Sequence, residues 1–305
     1  MGVLLTRRVT GAGADPSPIE YARRDTALDS PNLRMYGSAD SPSPQADLYH
    51  DWAQTYDYFF GDRTPEIRFW AEIAREYGTR LLDAMCGTAE VSLALARYGY
   101  RVVGLDLSPA MLAVAACRQA AAADYPARAL SLLQCDITCL PSASGAFDFA
   151  LVGGNGSFNH LDGRAAARAL RELRRVLRRG GALGMELVNP HLLGEIYPQR
   201  IFGPFRPTPP GVRVEKSSHN HYDPQAGLFH IHQVTCFEID GQQGEFEEQF
   251  QLHVWSPQQV QAMLEAAGFA GVWFYGDYGR AGFDCWSADL LVLAEAPPWP
   301  AKVRD

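Results

Sequence analysis

From Arg80 onward, short apolar runs alternate with amphipathic stretches. Arg80–Ala84, Arg101–Asp106, Leu130–Cys135, Phe147–Val152 and Ala182–Val188 are strand-length runs that are apolar at most positions, not at alternate ones. Runs of this kind predict strands buried on both faces. Between them, Glu90–Tyr98, Pro109 to about Ala122, and Arg164–Arg178 carry apolar residues at helical spacing. Local chemistry marks their ends. Gly99 supplies the left-handed residue that stops the first helix, Ser108-Pro109 gives the second an N-cap and a first-turn proline, and Gly180-Gly181 closes the third. Before Arg80, Ile67, Trp70, Ile73 and Ala74 mark one further amphipathic helix. Strand–helix alternation of this kind predicts a parallel sheet with helices on both faces.

Past Pro190 the period changes. Residues 212–219, 228–239 and 245–255 read as strands separated by turn chemistry at Asp223–Gly227 and Gly241–Gly244, which predicts an antiparallel meander. Ser256-Pro257 opens a helix that ends at Gly268, and apolar strands follow near 270–276 and 288–295. At the other end, Asp15-Pro16-Ser17-Pro18 and Asp40-Ser41-Pro42-Ser43-Pro44 break any period. The division expected is a poorly ordered tail over 1–46, a core over 47–190, an antiparallel insertion over 191–255, and a helix with strands over 256–298 that complete the core sheet.

Composition narrows the class. A length of 305 residues would suit about two average domains, but the pattern gives one α/β domain enlarged by a tail and an insertion. Hydrophobic residues at 47% and charged residues at 20% describe an ordinary globular chain. No apolar run of about 18 residues is present, so no membrane-spanning helix is expected. The net charge of −8 disfavours a dedicated nucleic-acid binder. Six scattered cysteines, with no CxxC pair, suggest neither a disulfide framework nor a zinc ribbon. The opening residues do not form a signal peptide, and a cytoplasmic setting is expected.

The chemistry concentrates at strand ends. Leu81-Leu82-Asp83-Ala84-Met85-Cys86-Gly87-Thr88-Ala89 runs from a strand through a tight turn into a helix. Such a turn, at the carboxyl edge of a parallel sheet, is where nucleotides bind. Asp106 ends the second strand and Asp136 follows the third, so three acids sit at three consecutive strand ends. An ionised carboxylate offers only acceptors, which suits ribose hydroxyls at Asp106 and an adenine amino group at Asp136. The simpler alternative is that each acid caps the helix after it. An NAD-linked loop would want more glycines for its pyrophosphate than Met85 and Ala89 leave.

These segments resemble the class I S-adenosylmethionine (SAM)-dependent methyltransferases, strongly over residues 49–190. Leu82–Ala89 resembles the family's first motif in a Cys-Gly-Thr variant, Val103–Leu112 its second, and Gln134-Cys135-Asp136-Ile137 its adenine-contacting segment. The resemblance implies a Rossmann-like seven-stranded sheet, mostly parallel with an antiparallel final strand, and SAM as cofactor. It implies Asp83 and Gly87 near the methionine moiety, Asp106 on the ribose and Asp136 with Ile137 at adenine, with Ala84, Leu107 and Met111 also among the cofactor-binding residues. Tyr56 is implied as part of a segment folded over the cofactor, and Gly153 lies at the end of the fourth strand, where the transfer site begins. Met85 and Ala89 stand where the family usually has glycine.

After the fourth strand, Gly153-Gly154-Asn155-Gly156-Ser157-Phe158-Asn159-His160 resembles the segment lining the methyl-transfer site of small-molecule N-methyltransferases, including amino-sugar and glycine N-methyltransferase relatives. His160 is the candidate base; the alternative is that Asn159 or His160 caps a turn. His219, His221, His230, His232 and His253 fall in the meander, where i, i+2 spacing pairs them on common faces. A half-exposed face, or one lining a polar pocket, outweighs a metal site there, and no metal is expected. The arginine run Arg164–Arg179 reads as a solvated helix face. The expected function is methyl transfer to a nitrogen, or oxygen, of a small-molecule acceptor, with no membrane partner and with a homodimer compatible. The alternatives are an RNA or protein methyltransferase and a non-catalytic SAM-binding protein.

Overall fold

In the computed structural model, the described residues are 6–8, 33–35, 53–122, 129–154, 156–193, 199–239 and 241–297. In chain order the strands and helices are β1 (Thr6–Arg8), β2 (Leu33–Met35), α1 (Thr64–Ala74), β3 (Arg80–Ala84), α2 (Glu90–Arg97), β4 (Arg101–Asp106), α3 (Pro109–Ala121), β5 (Leu130–Gln134), β6 (Phe147–Val152), α4 (Gly163–Val176), β7 (Leu177–Leu187), β8 (Gln199–Phe202), β9 (Val212–Asp223), β10 (Leu228–Ile239), β11 (Gln242–His253), α5 (Pro257–Ala266), β12 (Ala270–Tyr275) and β13 (Leu290–Glu295). Two 3-10 turns, Tyr56–Phe59 and Ser157–His160, complete the frame of the site. Apart from β1 and β2, the tail expected over 1–46 lies outside the described residues.

The main sheet runs β12-β13-β7-β6-β3-β4-β5-β2. Seven of these strands form the expected mostly parallel sheet, and β13 is antiparallel to both β7 and β12. The three-residue β2 adds an eighth strand beside β5, too short to leave a period in the sequence. All six residues of β6 are buried, as a central strand covered on both faces requires. Phe69, Trp70 and Ile73 of α1, Leu95 of α2 and Leu112 of α3 pack with Phe149 on one face. Leu170 and Leu173 of α4 and Leu264 of α5 pack with Val152 and Leu183 on the other. The buried side of α1 is centred on Phe69 and Trp70, with Glu66 also buried, while Ile67 is half-buried.

The caps read from sequence are in place. The Ser108 hydroxyl accepts from Met111 N at 3.2 Å, and Ser256 and Gln259 form a reciprocal capping box at α5. The end of α4 differs from expectation. The helix stops at Val176, and Gly180-Gly181 lies inside β7, where the pairing with β6 shifts register between Phe147 and Phe149. Gly180 has φ +67°, and a Cβ on Gly181 would lie 2.7 Å from the Asp148 carbonyl oxygen. The glycines therefore build a bulge, not a helix stop.

The meander is observed as β9–β11, flanked by β8 and β1 in a wholly antiparallel five-stranded sheet. It is tied to the core at several points. Asn159 Nδ2 donates to His253 O at 2.6 Å, Phe205 N to Tyr58 O at 2.7 Å, and Arg206 pairs with Glu90 at 2.7 Å.

Candidate active site

A cavity of about 300 Å³ opens at the carboxyl ends of β3, β4 and β5. Tyr56 and Gly87 form one part of its wall, Asp106, Leu107 and Met111 a second, and Asp136 with Ile137 a third. His160 closes the side opposite the first strands, together with Ser157 and Leu161. Of the eleven residues proposed from sequence as catalytic or cofactor-binding, eight are thus brought to one cavity.

The loop after β3 is built from left-handed backbone. Met85, Gly87 and Ala89 have φ of +63°, +54° and +56°. Two of the three positions carry side chains where glycine would be free of strain, at a cost of order 1 kcal/mol each. Strain of this kind persists where surroundings over-determine the conformation. Here Cys86 N donates to Leu105 O at 2.9 Å, and Gly87 N to Asp106 Oδ2 at 2.8 Å. The Tyr56–Phe59 turn clamps the same loop from above: Asp57 accepts from Thr88 Oγ1 at 2.7 Å and pairs with Arg118, which also donates to Thr88 O at 2.6 Å. Thr88 belongs to the motif read from sequence, but Asp57 and Arg118 carried no signal, because three unrelated segments supply the triad.

Asp106 accepts from Ser108 N through Oδ1 and from Gly87 N through Oδ2 and lines the cavity, where a carboxylate with several lone pairs can accept further donors. Burial raises its pKa, and these backbone bonds hold it part of the way down. Asp136 accepts from Thr138 N at 2.8 Å and is exposed. Both acids satisfy local backbone and line the cavity, so the capping and binding readings are compatible.

His160 sits on its 3-10 turn with Phe158 and Asn159 buried beneath it. Phe158 packs on Trp255, and Asn159 bridges Val188 N to His253 O. Asn159 is therefore the structural residue of the pair. The His160 imidazole stacks on Phe250 of β11, ring centroids 5.4 Å apart. Burial pushes its pKa down to about 4, so the ring is neutral at physiological pH.

Asp83, Ala84 and Gly153 lie outside the cavity lining. Asp83 is buried with its carboxyl 2.5 Å from Ser92 Oγ, and burial pushes its pKa up to about 7. Ala84 belongs to the core on the α4 side. Gly153 faces Glu66, whose Oε1 would lie 3.4 Å from a Cβ placed there. Behind that point is a buried polar group absent from the sequence reading. Arg63 forks onto Glu66 at 2.6 and 2.7 Å, and Glu186 accepts from Trp70 Nε1, Tyr278 OH and Gly154 N. Burial and the neighbouring Glu186 raise the Glu66 pKa.

The meander histidines pair across strands: His219 opposes His232 and His221 opposes His230, each with centroids 6.2 Å apart. They stand on the outer face, away from the cavity, which decides between the two placements expected for them. No group of three metal-ligating side chains is assembled among the described residues. Within the arginine run, Arg175 pairs with Glu172 and Arg178 with Asp148, while Arg164 and Arg168 reach the cavity rim.

The donor set fits SAM. Two carboxylates with open lone pairs match hydroxyl and amino donors, and Leu107, Met111 and Ile137 give an apolar slot for a flat base.

Residues 81–181 match the family described as "Methyltransferase domain". The chain is 26% identical over 229 residues to the putative methyltransferase YqeM of Bacillus subtilis (strain 168), covering 73% of this chain and 86% of that one. It is 32% identical over 147 residues to the 2-phytyl-1,4-naphtoquinone methyltransferase of Trichormus variabilis (strain ATCC 29413 / PCC 7937), spanning 46% of this chain and 58% of that one. The fold superimposes on the sugar N-methyltransferase KedS8 from Streptoalloteichus sp ATCC 53650 with a TM-score of 0.61 at 21% identity, covering 86% and 96% of the two chains. Residues 81–181 thus match a methyltransferase domain, and the fold is the Rossmann-like one that SAM-dependent methyltransferases of known structure share.

Proposed function

We propose that this methyltransferase passes a methyl group to the nitrogen of a small-molecule amine. The observation that carries the reading is His160: a neutral imidazole on the wall of the cofactor cavity, roofed by Phe250 of the antiparallel sheet. An amine is protonated in water and must shed that proton before it attacks, and a neutral imidazole on the cavity wall can accept a hydrogen bond from the remaining N–H and so orient the free amine's lone pair at the methyl group. Bound SAM supplies the methyl group on a sulfonium, ready for in-line displacement.

The chain's own residues do the rest. Asp106 would hold the ribose hydroxyls, Asp136 and Ile137 the adenine, and Tyr56 with the Gly87 loop the methionine end. The Asp57–Thr88–Arg118 clamp keeps that loop in its left-handed form. Asn159 fixes the turn that carries His160, so the imidazole is oriented by packing, and orientation is the larger part of catalysis here. A hydroxyl acceptor would use the same base. The sugar N-methyltransferase likeness supports nitrogen, whereas the quinone methyltransferase relative supports a different class of acceptor. The roof over His160 and the net charge of −8 both favour a small acceptor over RNA.

Calorimetry with SAM, followed by turnover on amine, phenol and RNA panels, tests the assignment. Absence of SAM binding at millimolar concentration sinks it, and binding without turnover on any panel leaves a SAM-binding protein only. His160→Ala should lower kcat by about 10²-fold while SAM affinity holds. Unchanged kcat would remove His160 from the chemistry. With an imidazole whose pKa is about 4, the acid limb of the rate profile from this residue should fall near pH 4, not 6.5.

A further inference from the structure

Cys135-Asp136-Ile137-Thr138-Cys139 places two cysteines at the ends of the segment that forms the third wall of the cavity. Asp136, Ile137 and Thr138 line that cavity, and so does Cys135. Both thiols are free; Cys135 is buried and Cys139 is exposed. The two residues are close. Cys135 Sγ lies 3.4 Å from the Cys139 carbonyl oxygen and 3.3 Å from that of Asp136. A tight turn, closed by Cys139 N donating to Asp136 O at 3.0 Å, brings the chain back on itself. Both ends of the segment are anchored. Cys135 N donates to Asp106 O at 2.9 Å. Just past Cys139, Leu140 N donates to Glu172 Oε2 at 2.9 Å, and Leu140 O accepts from Arg175 at 2.8 Å.

A role as a small buried apolar side chain accounts for Cys135 taken alone. It leaves Cys139 unexplained, since that side chain is exposed and belongs to neither core. The pair divides the work of thiol–disulfide exchange between an attacking and a resolving thiol. Burial, with Asp136 and Cys139 nearby, pushes the Cys135 thiol up to about 11, so it stays protonated until a disulfide is brought to it. Cys139 meets solvent, and with it any soluble disulfide. In reducing surroundings such a pair stands as two thiols, and a bond between them is transient.

We propose that Cys135 and Cys139 form a reversible oxidation site whose disulfide reshapes the third wall of the cofactor cavity, with a small soluble disulfide such as glutathione disulfide as the oxidant. The Cys139 thiolate attacks one sulfur of the small disulfide, forming a mixed disulfide and releasing one small thiolate. That thiolate takes the Cys135 proton. Cys135 then attacks the Cys139 sulfur, breaking the mixed bond and releasing the second small thiolate, which is protonated from water. The two protein thiols are oxidised by two electrons, and the small disulfide is reduced to two thiols. Joining the sulfurs requires the Cys139 side chain to turn inward and the turn to tighten, since bridged Cβ atoms stand only about 3.5–4.5 Å apart. With both ends anchored, the displacement falls on Asp136, Ile137 and Thr138, so the oxidised form binds SAM less well. By reciprocity, bound SAM opposes oxidation by the same factor. The inference rests on the reading that this cavity holds SAM.

The test uses the full chain, first reduced and then equilibrated with glutathione disulfide in a glutathione buffer. Peptide mass analysis should find the segment that carries both cysteines lighter by two hydrogens. The SAM dissociation constant, from calorimetry, should rise about tenfold in the oxidised protein and return after dithiothreitol. Saturating SAM in the same buffer should lower the oxidised fraction. Cys139→Ser removes the attacking thiol and leaves the cavity lining intact. It should bind SAM as the reduced parent does, and oxidation should not change that affinity. Cys135→Ser should stop at a mixed disulfide on Cys139. Thiols that stay free, a mixed disulfide that persists on Cys139 of the parent, a Cys135–Cys139 bond with SAM affinity unchanged, or an equal loss of affinity in Cys139→Ser would each overturn the inference while leaving the methyltransferase reading standing. Reduced protein that fails to bind SAM would overturn both.

Discussion

Ala89 and Met85 show what a single position contributes. Both stand where the family usually has glycine, and the structure gives the reason for that usage: the backbone is left-handed at both. The strain is carried by neighbours that fix the loop, namely the Cys86 and Gly87 amides and the Asp57–Thr88–Arg118 clamp. Ala89→Gly should therefore be neutral or stabilising by up to about 1 kcal/mol, read by chemical denaturation, with SAM affinity retained. A clear loss of stability would mean that the methyl group, which is buried, contributes more by packing than the backbone loses by strain. Met85 also lines the cavity, so its side chain narrows the space that glycine would leave.

Among the elements, the Tyr56–Phe59 turn has an effect out of proportion to its four residues. Through Asp57 it holds Thr88 and Arg118, and through Tyr58 O it receives Phe205 N from the approach to the antiparallel sheet. It thus joins the cofactor loop to the segment that leads into the antiparallel sheet. Asp57→Ala should raise the SAM dissociation constant about tenfold, an amount expected for losing charged hydrogen bonds that shape a binding loop, with little change in Tm; calorimetry and a thermal melt check the two halves. Where each element begins and ends was legible wherever one chain segment held all the information. The β3 and β4 runs, the Ser108 and Ser256 caps and the Asp106 and Asp136 strand ends are of this kind. What required three segments at once was not legible. The Asp57 clamp and the Arg63–Glu66–Glu186 group depend on register and long-range packing, which no local period encodes. Gly180-Gly181 misled for a related reason, since the same dipeptide serves a helix stop or a strand bulge, and only the pairing with β6 decides.

For the whole molecule, one ionic knot lies at the edge of the sheet away from the chemistry. Asp148 accepts from the amides of Thr79 and Arg80 and from the guanidinium groups of Arg80 and Arg178, which hold its pKa well below the usual carboxylate range. Its folded form therefore binds fewer protons than its unfolded form between those two pKa values. Its stabilisation is complete above about pH 4 and drains away as the pH falls further. Asp148→Asn should cost about 2 kcal/mol at neutral pH, discounted because both arginines are partly exposed. Melts between pH 2 and 7 should show the variant and the parent converging at the acid end. The order of the main sheet also has a consequence in time. Residues 290–295 pair with 182–187 on one side and with 270–275 on the other. A ribosome therefore delivers both flanks well before the strand that joins them. Until Leu290–Glu295 emerges, two apolar edges stand open, each a template for a stranger's strand. A chaperone that shields nascent chains should thus raise the yield of this protein most in the interval before Leu290–Glu295 has emerged.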